Sequence, residues 1–276
     1  MKINWKHIYM LLTIGLLTAC EIIPEDERIV DVFTPVTIKR TSLLIEYSGW
    51  MCVNCPTAAE VAHQLKEQYG ENLVVVVMHP ESNPNTRYGS NQNINYTCPE
   101  ADSIYIKMGG TNTTAFPTGN INMFKNDGKS YFTEYSSWGN YISKSYSTPK
   151  FVLIGQQVKG SADYMDIDIQ IDITNMSTDV LDATLQVWLT EDNVIGSQKK
   201  PEGTDKEYAH NHLMRASISP IWGDAVRIDA QQKEQVSYQY TLPEKVKKEN
   251  CNIVAVVSVD GEVVQANETK ITLNNN

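Results

Sequence analysis

The sequence has little of three features, and each shortage excludes a class of protein. No apolar run reaches the roughly 18 residues that a membrane-spanning helix needs. Basic residues are outnumbered, 23 Lys and Arg against 33 Asp and Glu, and the resulting charge of -10 repels the phosphate backbone of nucleic acids. Cysteine occurs only five times, and the second C-x-x-C of a zinc ribbon is absent. We therefore predict no nucleic-acid partner, no metal and no other cofactor.

The rest of the composition is typical of a folded chain. Apolar residues make up 41% and charged residues 20%, which excludes an intrinsically disordered protein. A length of 276 residues predicts one large domain or two modest ones.

The N-terminus has the pattern of an export signal. A basic start precedes an apolar stretch, residues 8–17, and Leu17-Thr18-Ala19-Cys20 follows. Small residues before a cleavage point are typical of secretory signals, so we predict a signal peptide over residues 1–19. The four-residue motif resembles a bacterial lipobox, in which cleavage precedes the cysteine and its sulfur carries lipid. An ordinary signal peptide with a chance cysteine is the alternative.

Cys20 is therefore the predicted point of lipid attachment and the contact with the membrane. Two or more acyl chains hold a protein firmly on a bilayer. Residues 20–35 are acidic and punctuated by proline, a composition that favours a solvated tether.

Residues 36–148 combine strand and helix patterns. Residues 42–48 form a short apolar strand, residues 52–69 place apolar side chains at helical spacing, and residues 73–78 are a continuous β-branched run. This order predicts a βαβ unit. We expect three further elements: a helix from about residue 97, a hairpin turn at Asn126-Asp127-Gly128 and a last helix from about residue 138.

The pattern changes near residue 149. Residues 165–174 alternate isoleucine with Asp or Gln, which puts one face of a strand in the core and the other in water. About seven short strands without a helix are typical of an antiparallel β-sandwich, which we predict for residues 149–276. The expected fold class is an α/β domain followed by an all-β domain.

Cys52-Val53-Asn54-Cys55 lies between a predicted strand and a predicted helix. Unpaired N–H groups at a helix N-terminus stabilise a thiolate, and a second thiol three residues later can open or close a disulfide. We predict Cys52 as an exposed nucleophile and Cys55 as the resolving thiol. A structural bridge on an inactive scaffold is the alternative, and Pro56 leaves the start of the helix in question.

Glu46 is a carboxylate inside the apolar strand, six residues before Cys52. A buried acid is costly unless it has a role. Burial would raise its pKa, and such a group can accept the proton of Cys55 during disulfide exchange. The alternative is a polar position on the exposed side of a half-buried strand.

Residues 36–147 resemble the thioredoxin fold. The resemblance rests on Glu46, the two cysteines and Phe116-Pro117-Thr118. The family has a buried acid six residues before its first cysteine and a cis-proline that faces the disulfide. The resemblance implies that Glu46 relays a proton beneath the cysteines. It also implies that Phe116 and Pro117 help to bind an extended substrate chain beside Cys52.

Four stretches extend the likeness over the mature chain: LLIEYSGWMCVNCPTAA (43–59), FPTGNIN (116–122), HNHLMR (210–215) and VVQANETKITL (263–273). They resemble the 28-kilodalton outer-membrane lipoprotein family of Bacteroidetes-type bacteria. This resemblance implies a thioredoxin-like domain joined to a β-sandwich at the cell outer membrane. We predict a thiol–disulfide oxidoreductase for exported protein thiols or disulfides. A non-catalytic surface module for binding or assembly is the alternative, and redox direction and oligomeric state stay open.

Three smaller groups have competing interpretations. His210 and His212 alternate before a strand, either as a metal pair or as a solvated or packed pair. Cys98 and Cys251 either bridge the domains, supply an extra resolving thiol or are buried and inert. The acidic row of the predicted strand is a calcium site or a solvated sheet face and comprises Asp166, Asp168 and Asp172.

Overall fold

The computed structural model describes residues 40–87, 94–126, 129–130, 132–148, 151–161 and 165–274. These residues belong to one compact unit, a mixed α/β structure with far more strand than helix. The predicted signal peptide, Cys20, the tether and the central residues of the turn at 127–128 lie outside the described residues.

The first half of the chain contains all three α-helices of the described residues, together with three short 3-10 turns. Its elements are β1 (Ser42–Tyr47), α1 (Cys55–Tyr69), β2 (Leu73–Met78), α2 (Pro99–Lys107), β3 (Thr118–Ile121), β4 (Lys125–Asn126), β5 (Lys129–Ser130) and α3 (Trp138–Tyr146).

The second half contains strands and one short 3-10 turn. The strands are β6 (Val152–Ser161), β7 (Asp166–Asn175), β8 (Leu181–Glu191), β9 (Val194–Lys200), β10 (Gly203–His210), β11 (Leu213–Ser217), β12 (Asp224–Ile228), β13 (Lys233–Thr241), β14 (Cys251–Val259), β15 (Glu262–Lys270) and β16 (Thr272–Asn274). The sequence predicted about seven of these strands and missed β6, β9, β10 and β12.

Helix α1 starts three residues later than the sequence predicted. Asn54 is its N-cap and Pro56 lies in the first turn, where a proline removes no needed hydrogen-bond donor. Pro56 therefore sets the start of the helix without breaking it. Apolar side chains at intervals of three and four residues face the sheet, and Gly70 at φ 56° ends the helix.

One large sheet contains strands from both halves of the chain. Its order is β15-β14-β8-β11-β2-β1-β3, and β12 pairs with β8. β1 and β2 are parallel, and β2 is joined to β11 where the Val77 N–H donates to the His212 carbonyl at 2.8 Å. The boundary expected at residues 148 and 149 stays a prediction. Strands from either side of it share this sheet.

A second sheet packs on one face of the large one and gives the C-terminal half a sandwich-like core. Its order is β13-β7-β6-β16. The isoleucines of β7 point into this core and its acids point outward, as their alternation predicts. The sandwich is not purely antiparallel, because β16 runs parallel to β6.

The opposite face of β8 and β14 is also buried. Trp188 and Val254 pack there with Tyr47 of β1 and with Tyr105 of α2. Strand β15 also meets the segment that follows β3, where the Val263 N–H donates to the Asn122 carbonyl at 2.8 Å. Helices α1 and α3 cover the other face of β1 and β2.

No helix within the described ranges combines the length and the apolar character needed to cross a membrane.

Candidate functional site

The two cysteines of the C-x-x-C form a disulfide that is shielded from solvent. Cys52 and Cys55 are bonded, with their Cα atoms 5.4 Å apart. Only 5% of Cys52 and 2% of Cys55 is accessible. The expectation of an exposed Cys52 is therefore wrong for this oxidised state, because another part of the chain covers the loop.

The cover is strand β9 of the β9–β10 hairpin. The side-chain amide of Gln198 donates to the Cys52 carbonyl at 2.9 Å, and Gln198 is itself only 2% exposed. The next backbone N–H, that of Lys199, donates to the Trp50 carbonyl at 2.7 Å. Strand β9 thus uses both a side chain and its backbone to hold the loop that carries the disulfide.

A second segment holds the same loop from residues 83–87. The Met51 N–H donates to the Asn85 carbonyl at 3.0 Å, and the Trp50 indole donates to the Arg87 carbonyl at 2.9 Å. A Cβ on Gly49 would lie 2.5 Å from the Asn85 carbonyl oxygen, so a side chain at this position would displace the segment. The disulfide loop is consequently fixed between β9 and the segment 83–87.

Buried rings attach the hairpin to the end of β2. The rings of His79 and His210 are 5.7 Å apart, and that of Tyr96 lies 4.5 Å from His210. Burial lowers the pKa of His210 to about 4 and lowers that of His79 as well. Both histidines are therefore neutral near pH 7, and the cluster packs as an uncharged unit.

Glu46 lies beneath the N-terminus of α1, on the same face of β1 as Leu44. It is 1% exposed, and both of its carboxyl oxygens are buried. Burial raises its pKa to about 8, and the Ser48 side chain offsets part of that effect. The expected burial and raised pKa are found, whereas the proton relay stays a prediction.

Glu46 also lies on the floor of a cavity of about 310 Å³ between α1, β2 and β10. The cavity is lined by Glu46, Pro56, Ala59, Glu60, Ala62, His63, Val75, Val77, Tyr208, Ala209, Asn211 and His212. Its floor is buried, while Glu60, His63 and Asn211 at the rim are exposed. A buried acid therefore lines a recess with a solvent-exposed rim.

The predicted substrate-binding pair lies at the entrance to β3. Phe116 and Pro117 are joined by a cis peptide bond, and both are half-buried. The Phe116 ring packs edge-on against Tyr105 of α2, with centroids 5.9 Å apart. Binding of an extended chain by these two residues stays a prediction.

The remaining cysteines do not bridge the two halves. Cys98 and Cys251 are free and buried, and burial raises the pKa of each thiol to about 12. Cys98 precedes α2 as its N-cap, but desolvation there outweighs the stabilisation that a helix N-terminus offers a thiolate. The structure favours the interpretation of two inert thiols.

The two histidines that alternate before β11 have different surroundings. The His210 ring packs against Tyr96. The His212 Nδ1 atom lies 3.3 Å from an Asp192 carboxylate oxygen, and His212 itself has a backbone φ of 55°. Within the described ranges, no three His, Cys, Asp or Glu side chains are grouped as a metal site. His210 and His212 are thus two separately packed side chains.

The acidic row of β7 faces polar partners on β13. Asp168 accepts from Gln239 at 3.1 Å, and Asp172 accepts from Gln235 at 2.8 Å and from Lys233 at 3.1 Å. The hydroxyl of Thr241 donates to Asp166. The row is a cross-strand polar face, in line with the solvated-face alternative.

Comparison with known proteins identifies the family of the C-terminal part. The family model described as outer membrane protein Omp28 matches residues 107–275, more than half of the chain. This chain belongs to the Omp28 family. The protein is accordingly located at the outer membrane. The matched region begins after Glu46, Cys52 and Cys55, so membership says nothing about their chemistry.

Solved structures show a similar fold at low sequence identity. HBP35 of Porphyromonas gingivalis is 15% identical, with a TM-score of 0.66 over 85% of this chain and 76% of its own. Protein AGR_C_4864 from Agrobacterium tumefaciens is 12% identical, with a TM-score of 0.50 over 87% of this chain and 99% of that protein. A domain of the outer membrane lipoprotein Omp28 from Porphyromonas gingivalis is 20% identical and has a TM-score of 0.34. The match covers 46% of this chain and 92% of that domain. No curated protein sequence matches this chain.

Sequence reasoning missed the residues that cover the disulfide. Gln198 lies in a segment with few apolar side chains, and the adjoining strand β10 is mostly charged and polar. Neither strand has the alternation that marks a half-buried strand. The sequence signal that could have predicted this hairpin is the turn Pro201-Glu202-Gly203, which links its two strands.

Proposed function

We propose that this Omp28-family protein is a non-catalytic module of the outer membrane, for binding or assembly at the envelope. In this proposal residues 36–148 are a thioredoxin-like scaffold and Cys52–Cys55 is a structural bridge. A lipid on Cys20 is the proposed anchor.

The observation that carries the proposal is the cover over the disulfide. Exchange requires a thiolate to reach one sulfur of the bridge in line with the bond that breaks. Cys52 and Cys55 are 5% and 2% accessible, and Gln198 and Lys199 of β9 are bonded to their loop. A protein substrate would have to displace this strand, so the resting arrangement disfavours turnover.

The scaffold part of the proposal rests on the order of elements. β1, α1 and β2 form a parallel βαβ unit, and β3 pairs antiparallel with β1 after the cis-proline. The position of Glu46 on the strand that precedes the C-x-x-C also supports this part of the proposal. A scaffold of this kind with a buried disulfide supports a binding role.

The reduction potential of the Cys52–Cys55 pair tests this proposal. We would use the full chain carrying Cys98→Ser and Cys251→Ser, so that only the pair and the anchor cysteine remain. A structural bridge is expected below about -300 mV and without turnover of a model disulfide. A potential between about -270 and -120 mV, together with catalytic reduction of insulin, would replace the proposal with the oxidoreductase hypothesis.

A further inference from the structure

We infer that a cavity on the C-terminal half binds a small organic phosphate, whose phosphoryl group contacts Arg215, Lys245 and Lys247. The inference deepens the proposed binding function and rests on it, because it names the ligand class of a module without a reaction of its own.

The cavity has a volume of about 320 Å³. It is lined by the end of β8, the start of β9, the middle of β11 and the loop between β13 and β14. Three of its side chains are cationic, Arg215, Lys245 and Lys247, although the chain has a net charge of -10. Among the described residues that line it, Glu191 is the one acid. Cations that converge on one recess of an acidic protein favour an anionic ligand.

The guanidinium of Arg215 is held in a fixed position at this cavity. Its Nε atom lies 3.2 Å from one Glu191 carboxylate oxygen, and its Nη1 donates to the Asn95 carbonyl at 2.9 Å. The other Glu191 oxygen accepts from the Lys247 N–H at 2.8 Å, so the acid is fixed as well. These contacts use two of the five N–H groups that a guanidinium carries. Arg215 is thus oriented before any ligand binds, which reduces the entropy lost on binding.

The two lysines make the cationic side of the cavity accessible. Lys245 and Lys247 are both exposed, so a ligand can reach their ammonium groups without a change in the fold. The side chain of Arg215 keeps 13% of its surface exposed, whereas that of Glu191 keeps 5%. A ligand in the cavity therefore meets the cations, while the acid is covered by its own partners.

The balance of charge favours a phosphate over a carboxylate. Three cations and the ionised Glu191 leave two positive charges at the cavity. Burial raises the pKa of Glu191, and its hydrogen bond from Lys247 and the charge of Arg215 oppose this rise. A phosphate monoester has a second pKa of about 6 and carries nearly two negative charges at pH 7.5, whereas a carboxylate carries one. The monoester matches the site, and a carboxylate leaves one cation uncompensated.

The remaining walls indicate an apolar body on the ligand. Ile94, Val194 and Ile195 line the cavity beside the cations. A volume near the lower end of ligand pockets limits this body to a short one. The inferred ligand is therefore a phosphate monoester with a small apolar substituent.

Calorimetry on the full chain at pH 7.5, in a phosphate-free buffer of low ionic strength, tests the inference with monobutyl phosphate as the probe. Inorganic phosphate lacks the apolar body, and pentanoate lacks the second charge. We expect saturable binding of one monobutyl phosphate, at least about tenfold tighter than either comparison anion. Added sodium chloride should weaken this binding, because it screens the exposed lysines.

Three variants and one control identify the site. Lys245→Gln and Lys247→Gln should each weaken binding of monobutyl phosphate at least about fivefold. Arg215→Gln should remove it, and the two exposed lysines keep the test valid if the loss of the Glu191 ion pair prevents folding. Lys206→Gln removes the same charge from an exposed position outside the cavity and should bind like the parent.

Three results would overturn the inference: no saturable binding of monobutyl phosphate, equal binding of either comparison anion, or unchanged binding by both lysine variants. None of them bears on the reduction potential of Cys52–Cys55. A failed phosphate titration with an inert disulfide would therefore leave the proposed function intact.

Discussion

Replacing Glu46 by Gln should remove a pH dependence of stability that one buried acid creates. The folded pKa of about 8 lies above the unfolded value of 4.5. A group with a raised folded pKa contributes most at low pH, and this contribution is lost as the pH rises through 8. The parent should thus become less stable between pH 5 and pH 8, whereas the amide has no proton to lose.

The size of the effect follows from the three pH units between those conditions. At 1.36 kcal/mol per unit they give at most about 4 kcal/mol, and about 3 kcal/mol remains after allowing for partial ionisation at both ends. Glu46 is fully buried, so solvent screening does not reduce this value. We expect Glu46→Gln to gain about 3 kcal/mol relative to the parent between pH 5 and pH 8.

Urea unfolding of parent and variant at both pH values measures this difference. Taking the difference between the two proteins cancels the other groups that titrate in the range. Glu60→Gln, at the exposed rim of the same cavity, is the matched control and should follow the parent. Parallel stability curves for the parent and Glu46→Gln would refute the reasoning, because Glu46 would then not be a neutral buried acid.

Three further predictions concern the cysteines. Gln198→Leu should speed reduction of the Cys52–Cys55 bridge by dithiothreitol about tenfold, because the variant loses a buried hydrogen bond worth about 1 kcal/mol or more. An unchanged rate would show that β9 does not shield the disulfide. Cys98 and Cys251 should resist iodoacetamide at pH 8 in the folded protein and react in urea, as mass spectrometry would show. Cys20→Ser should move the protein from the membrane to the soluble envelope fraction; retention would indicate another anchor.

The sequence was informative where a pattern is local. The helix periodicity of α1, the β-branched run of β2 and the alternation of β7 each predicted an element that the structure contains. The dipeptide Asp260-Gly261 is typical of hairpin turns and lies in the turn between β14 and β15, where both residues have positive φ values, 52° and 79°. These signals need only a few neighbouring residues, so a single sequence carries them.

The rest depends on pairings between distant residues. Nothing near Val77 indicates that its partner is Leu213, and nothing near Cys52 indicates that Gln198 will cover it. The burial of Cys52 could therefore not be derived from the C-x-x-C. The candidate residues were found from their spacing, but their accessibility was set by a polar hairpin without a hydrophobic pattern.

The pairing of β2 with β11 also has a consequence for export. A protein that reaches the outer membrane crosses the inner membrane first, and an unfolded chain delivered from its N-terminus presents β2 long before β11 has emerged. During this interval one edge of β2 has unpaired N–H and C=O groups next to a continuous apolar run, a combination that promotes aggregation. We therefore expect a chain exported in unfolded form to need protection in the envelope until residue 213 has been delivered.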